Sequence, residues 1–163
     1  KTYAMTGWRI GYIAGNSSLV KAVSKLQGQS TSCPNSIAQY AAIEALSGDQ
    51  ACVQNMKKIF HERRDLVLSE LQKISGVTCE TPNGAFYVFP NFEHYLNTRT
   101  IEGKKIQTSS DLSLYILNET GVVTVAGDSF GAPSNIRLSY ATSNATISKA
   151  VLLMKEALKK LDF

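Results

Sequence analysis

Lys1 and Arg9 open the chain, in Lys1-Thr-Tyr-Ala-Met-Thr-Gly-Trp-Arg-Ile-Gly-Tyr12. Arg9 stands eight positions after Lys1, between Gly7 and Gly11, two residues that leave room for a ligand or another backbone to come close. It also sits between Trp8 and Ile10, at the start of an apolar run. A guanidinium keeps its charge there and calls for an anion at its fork. Arg137 is the second such arginine. In Asn135-Ile-Arg-Leu-Ser-Tyr-Ala141, period-two alternation puts Ile136, Leu138 and Tyr140 on one face of a strand, and Arg137 and Ser139 on the other. That placement fits a receptor for a carboxylate or phosphate, with a salt bridge to a neighbouring acid as the competing account. Two arginines on strands beside small residues favour two anion sites in one cleft. Lys1, taken alone, reads as a solvated residue at the start of the chain.

Alternating strands and helices must position these groups. Residues 9–14 read as a short buried strand. A helix follows over residues 19–29, capped by Asn16 or Ser17, with Leu19, Val20, Val23 and Leu26 on its apolar face. A polar loop leads to Pro34, just ahead of a second helix that Ser47-Gly48 ends. Helical periodicity then runs from Asp49 to about Ile74, long enough to bridge two bodies, which places a domain boundary near Arg63. Residues 77–80 and 85–89 read as strands around Pro82-Asn83-Gly84. Residues 92–108 read as an irregular, polar surface insertion, and Ser110-Asp111 as the cap of a helix ending at Gly121. Strands over 122–125 and 135–141 precede a last helix, capped by Asn144, with Ile147, Val151, Met154 and Leu158 on one face. The mixture predicts an α/β or α+β organisation.

The bulk properties are those of a globular chain: 163 residues, 44% hydrophobic and 18% charged. The net charge of +4 comes partly from paired basic residues that lie mostly in helices beside acids, with no basic stripe interleaved with aromatics. Nucleic acid is therefore not an expected partner. Cys33, Cys52 and Cys79 are widely spaced and include no C-x-x-C pair, as expected of reduced thiols in a cytoplasmic protein without a metal site. No apolar run approaches the ~20 residues of a membrane span, and no signal peptide is evident.

Four motifs in order carry a family resemblance: Lys1 to Tyr12; Gln29-Ser-Thr-Ser-Cys-Pro-Asn-Ser-Ile-Ala-Gln39; Asn83-Gly-Ala-Phe-Tyr-Val88; and Asn135-Ile-Arg-Leu-Ser-Tyr-Ala-Thr142. Together they resemble the class I pyridoxal-phosphate aminotransferases, in the bacterial aspartate or aspartate/prephenate branch. The resemblance implies the carboxyl-terminal part of a fold type I transferase, beginning at the Schiff-base lysine. Residues 1–62 would be the end of the large cofactor-binding domain with the start of a bridging helix. Residues 63–163 would be the rest of that helix and a small α+β domain.

On this resemblance Lys1 is similar to the lysine that bonds to pyridoxal 5'-phosphate and moves a proton at the substrate carbon, Arg9 to the arginine that neutralises the cofactor phosphate, and Arg137 to the one that grips the substrate α-carboxylate. Ser32 lies in a segment that the family reaches into the active site of a partner subunit, which implies a homodimer. The implied reaction is ping-pong amino transfer between an acidic amino acid and a 2-oxo acid, in amino-acid metabolism, with the rest of the cofactor pocket upstream of Lys1. The 163 residues alone are then expected to be inactive and to expose apolar surface.

Two features depart from the pattern or leave it open. Gln27-Gly-Gln29 occupies the region where another branch carries an arginine for the distal carboxylate, so these residues do not specify a dicarboxylic substrate. Ala126-Gly127 replaces the usual Pro-Gly, a change expected to affect loop stiffness more than chemistry. Phe86 and Phe130 are expected to pack. The alternatives are an aromatic or alanine aminotransferase, a carbon–sulfur lyase, or a non-catalytic oligomerisation or anion-binding domain.

Overall fold

A computed structural model describes all of residues 1–163, which divide into two units, Lys1–Met56 and Lys57–Phe163. In the first unit, a single 3-10 turn, Thr6–Trp8, is closed by Arg9 in the left-handed conformation at φ 52°. Helix α1, Ser17–Ser30, begins where the Asn16 side chain accepts the backbone N–H of Ser18 at 2.9 Å. Asn35 caps α2, Ser36–Ser47, in the same manner, accepting from Ala38 N at 3.2 Å. Each cap satisfies one of the N–H groups that a helix start leaves without a partner.

The strand expected over residues 9–14 is absent. Residues 10–14 have no regular structure, and Tyr12 is 77% exposed. A strand needs a neighbour to take its backbone hydrogen bonds, and this unit contains none. The apolar faces of the helices are also uncovered within the unit: Leu26 is 71% exposed and Tyr40 77%, with Ala38 the one buried residue of α2.

Helix α3, Ala51–Leu71, starts beside Asp49, whose carboxylate accepts Ala51 N at 3.0 Å. The division between the units falls within this helix. Its second half buries Val67, Leu68 and Leu71. Gly76 then turns the chain at φ 74°, with the His94 ring packed where a side chain would stand.

The second unit is built on a three-stranded antiparallel sheet in the order β1-β3-β2: β1 Tyr87–Val88, β2 Val125–Ala126 and β3 Ile136–Ser139. Tyr87 faces Ser139, and Val125 faces Arg137. The strand expected over 77–80 contracts to a single bridge between Thr78 and Asn91. Val88, Ile136, Leu138 and Tyr140 join a core that includes both later helices. Those are α4, Ser109–Thr120, and α5, Asn144–Leu158. The periodic face of α5 is buried as its spacing predicts, through Ile147, Val151, Met154 and Leu158. Each such side chain contributes about 1.5–3 kcal/mol when fully withdrawn from water.

Two expectations shift here. The cap of α4 is Thr108 rather than Ser110: its hydroxyl accepts Asp111 N, and Asp111 accepts back from Thr108 N, a reciprocal capping box. Residues 92–108 are irregular but no mere surface insertion, because Phe92, Tyr95, Thr98 and Ile106 are buried. Tyr95 anchors the segment by donating its hydroxyl to Ser75 O at 2.6 Å.

Candidate active site

In the first unit, Lys1 and Arg9 line the same open concavity, of about 750 Å³. Gly11 and Tyr12 form part of its wall, and Ala42 and Leu46 of α2 close one side. The left-handed backbone at Arg9 reverses the chain after the 3-10 turn, so that the guanidinium returns over it, with Nη1 donating to Thr6 O at 2.9 Å. One bond of this kind leaves most of the five guanidinium N–H groups for an anion. Gly7 and Gly11 have open space where a Cβ would stand, so no backbone presses against either. The concavity therefore combines a primary amine, a permanent cation and apolar walls. It offers a nucleophilic or basic nitrogen together with a counter-charge for a small anionic ligand.

Ser32 stands on the loop between α1 and α2, exposed and left-handed at φ 66°. It is not among the residues that line the concavity.

Arg137 belongs to the second unit and stands on β3, on the face opposite Ile136 and Leu138. No carboxylate of this unit pairs with it, which removes the salt bridge as an account of its charge within the unit. Its guanidinium carbon instead lies 4.5 Å from the Tyr87 ring centroid and 4.8 Å from that of Phe130. Packing of Phe130 was expected, but its partner was not. The missing signal is the strand register, which puts Tyr87 opposite Ser139 and thus diagonal to Arg137.

The turn that carries Phe130, Gly127–Phe130, is tied to the start of α4. Asp128 accepts from Ser110 N at 3.2 Å and Ser110 Oγ at 2.9 Å, while its own N–H donates to Ser109 Oγ at 3.1 Å. These serine contacts hold the Asp128 carboxyl below the usual carboxylate range. No group of three or more His, Cys, Asp or Glu side chains is placed to hold a metal ion, and no helix is long and apolar enough to cross a membrane.

The family model for aminotransferase class I and II matches residues 1–152. A probable aspartate/prephenate aminotransferase of Rhizobium leguminosarum bv. phaseoli is 48% identical over 150 residues, covering 92% of this chain and 38% of that protein. An aspartate aminotransferase of Rhizobium meliloti (strain 1021) is 43% identical over 161 residues, covering 99% of this chain and 39% of that protein. The crystal structure of the aspartate aminotransferase from Rhizobium meliloti superposes with a TM-score of 0.91 at 42% identity, over 99% of this chain and 40% of its own. The chain thus spans about 40% of the length of the relatives it matches. Its α/β fold is that of the fold type I enzymes over that span, and the chain belongs to the class I and II aminotransferase family.

Proposed function

We propose that the protein to which these residues belong is a pyridoxal-phosphate-dependent aminotransferase that passes the amino group of aspartate to 2-oxoglutarate. The observation that carries this reading is the shared concavity, in which Lys1 and Arg9 supply an amine and a fixed cation to one small ligand. That donor set fits pyridoxal phosphate, which offers an aldehyde that condenses with an amine at one end and an anionic phosphate at the other. Lys1 and Arg9 would hold those ends respectively. When bound, the cofactor supplies an electron sink for the charge that develops at the substrate carbon.

The chain's own residues do the rest. Lys1 Nζ takes the proton from the substrate Cα and returns it one position away, a transfer that needs the amine within hydrogen-bond reach of that carbon. Arg9 keeps its charge throughout, so the phosphate end stays fixed while the other end reacts. Arg137 presents an N–H edge to the substrate α-carboxylate, and two parallel bonds there set the orientation of the Cα–H bond. The first half-reaction releases the donor's carbon skeleton as a 2-oxo acid while the amino group would be kept on the cofactor, and the second passes that group to 2-oxoglutarate.

On the same reading, residues 1–62 are the end of a large domain and residues 63–163 complete a bridging helix and a small domain. The protein works as a homodimer, with Ser32 on a segment that reaches the partner's site. The exposed apolar faces of α1 and α2 are consistent with further protein covering them. A cytoplasmic location accords with three unpaired cysteines.

Preference for a dicarboxylic donor rests on the relatives' names, because no residue of the chain marks it. A donor panel on the full-length protein tests it. With 2-oxoglutarate as acceptor, kcat/KM for aspartate is expected to exceed that for alanine and phenylalanine by about a hundredfold, the upper end of what a hydrogen bond to a charged group contributes. Preference for phenylalanine or alanine would move the substrate while keeping the family.

A further inference from the structure

Arg137 has an aromatic ring on each side of its strand. β3 is the central strand, and Tyr87 comes from β1 on one flank while Phe130 comes from the turn that follows β2 on the other. Both rings lie within cation–π distance of the guanidinium carbon, at 4.5 and 4.8 Å. Phe130 is 50% exposed, so its place is not explained by burial in the core. It is nevertheless held firmly, with the Phe89 ring edge-on at 5.8 Å and 88° and the Asp128 carboxylate tying its turn to Ser110.

With its carbon over both rings, the guanidinium rests its charge on aromatic faces that accept no conventional hydrogen bond, and its N–H groups are what a carboxylate binds. We propose that Tyr87 and Phe130 are positioning residues that hold the Arg137 guanidinium plane so that both of its edge N–H groups meet the substrate carboxylate together. This inference rests on the reading of Arg137 as the carboxylate receptor. An arginine free to rotate would have to be ordered on each binding event, and affinity would fall accordingly.

The test is the dissociation constant of maleate, a dicarboxylate with no amino group to transfer, measured by calorimetry on the full-length protein loaded with pyridoxal phosphate. Thermal midpoints are recorded beside it. Phe130→Leu and Tyr87→Leu are each expected to weaken maleate about tenfold, while Phe130→Tyr, which keeps the ring, stays within about twofold of the parent. The Leu variant at half-exposed Phe130 is expected to keep the parent's midpoint and decides the matter if Tyr87→Leu does not fold. Arg137→Gln separates the two layers of the argument. If Arg137→Gln loses maleate but Phe130→Leu binds it as the parent does, the positioning role is overturned and the receptor stands. If Arg137→Gln binds maleate normally, the receptor reading fails and the positioning role fails with it.

Discussion

Replacing Lys1 with alanine in the full-length protein is expected to lower kcat for amino transfer from aspartate by about 10⁴-fold, the upper end of what a positioned general base supplies. Lys1 and Arg9 are the cationic side chains lining the concavity, and a guanidinium cannot give up its proton to act as a base. Lys1→Arg is therefore expected to be as inactive as Lys1→Ala although it preserves the charge. Aspartate binding should persist in both variants, because the proposed carboxylate contact is made by Arg137. A measured kcat for Lys1→Ala within tenfold of the parent would mean that another group moves the proton. Steady-state kinetics and equilibrium binding together separate a lost base from a lost site.

Gly127→Ala carries the largest expected effect on stability. A Cβ at Gly127 would stand 2.1 Å from Ala132 O and 2.4 Å from Asn135 O, both backbone atoms that cannot swing aside. The same backbone is bonded around the glycine, with Gly127 N donating to Asn135 O at 2.8 Å and Ala132 N to Gly127 O at 3.0 Å. Relief would require breaking the turn or shifting β3, at a cost of about 3 kcal/mol. Gly131 provides the contrast. It has φ 71° but open space around it, so Gly131→Ala costs only the left-handed penalty, about 1 kcal/mol. Denaturant unfolding of the two variants should rank them in that order. Equal costs would show that the turn relaxes around Gly127. Because β3 carries Arg137 two residues beyond Asn135, Gly127→Ala should also raise KM for the amino donor.

What the sequence made legible follows from periodicity. The alternation in β3 predicts burial of Ile136, Leu138 and Tyr140, and these are buried, with Arg137 half-buried and Ser139 exposed. The α5 face emerges for the same reason at helical spacing. Local caps were legible in kind but not in position. Thr108, Ser109 and Ser110 are all plausible caps, and the decisive clue was the acid three residues after Thr108.

Features that depend on distant parts of the chain stayed hidden. The apolar run over 9–14 looks like a strand, yet strand formation depends on a pairing partner that its unit lacks. Burial of Phe92 and Ile106 follows no period, so residues 92–108 looked peripheral. The aromatic flanks of Arg137 depend on the sheet order, which no local pattern encodes. The Ala126 departure has a simple physical reading: its φ of −61° is the value a proline ring imposes, so alanine keeps the same backbone while losing the rigidity.

The most direct test of the central claim is the visible absorption spectrum of the full-length protein with pyridoxal phosphate, recorded before and after adding aspartate. A band from cofactor bonded to Lys1 is expected, absent in Lys1→Ala, which aspartate converts to the amine form and 2-oxoglutarate restores. A protein with Lys1 intact that takes up no cofactor, or whose band no amino acid converts, would contradict that claim.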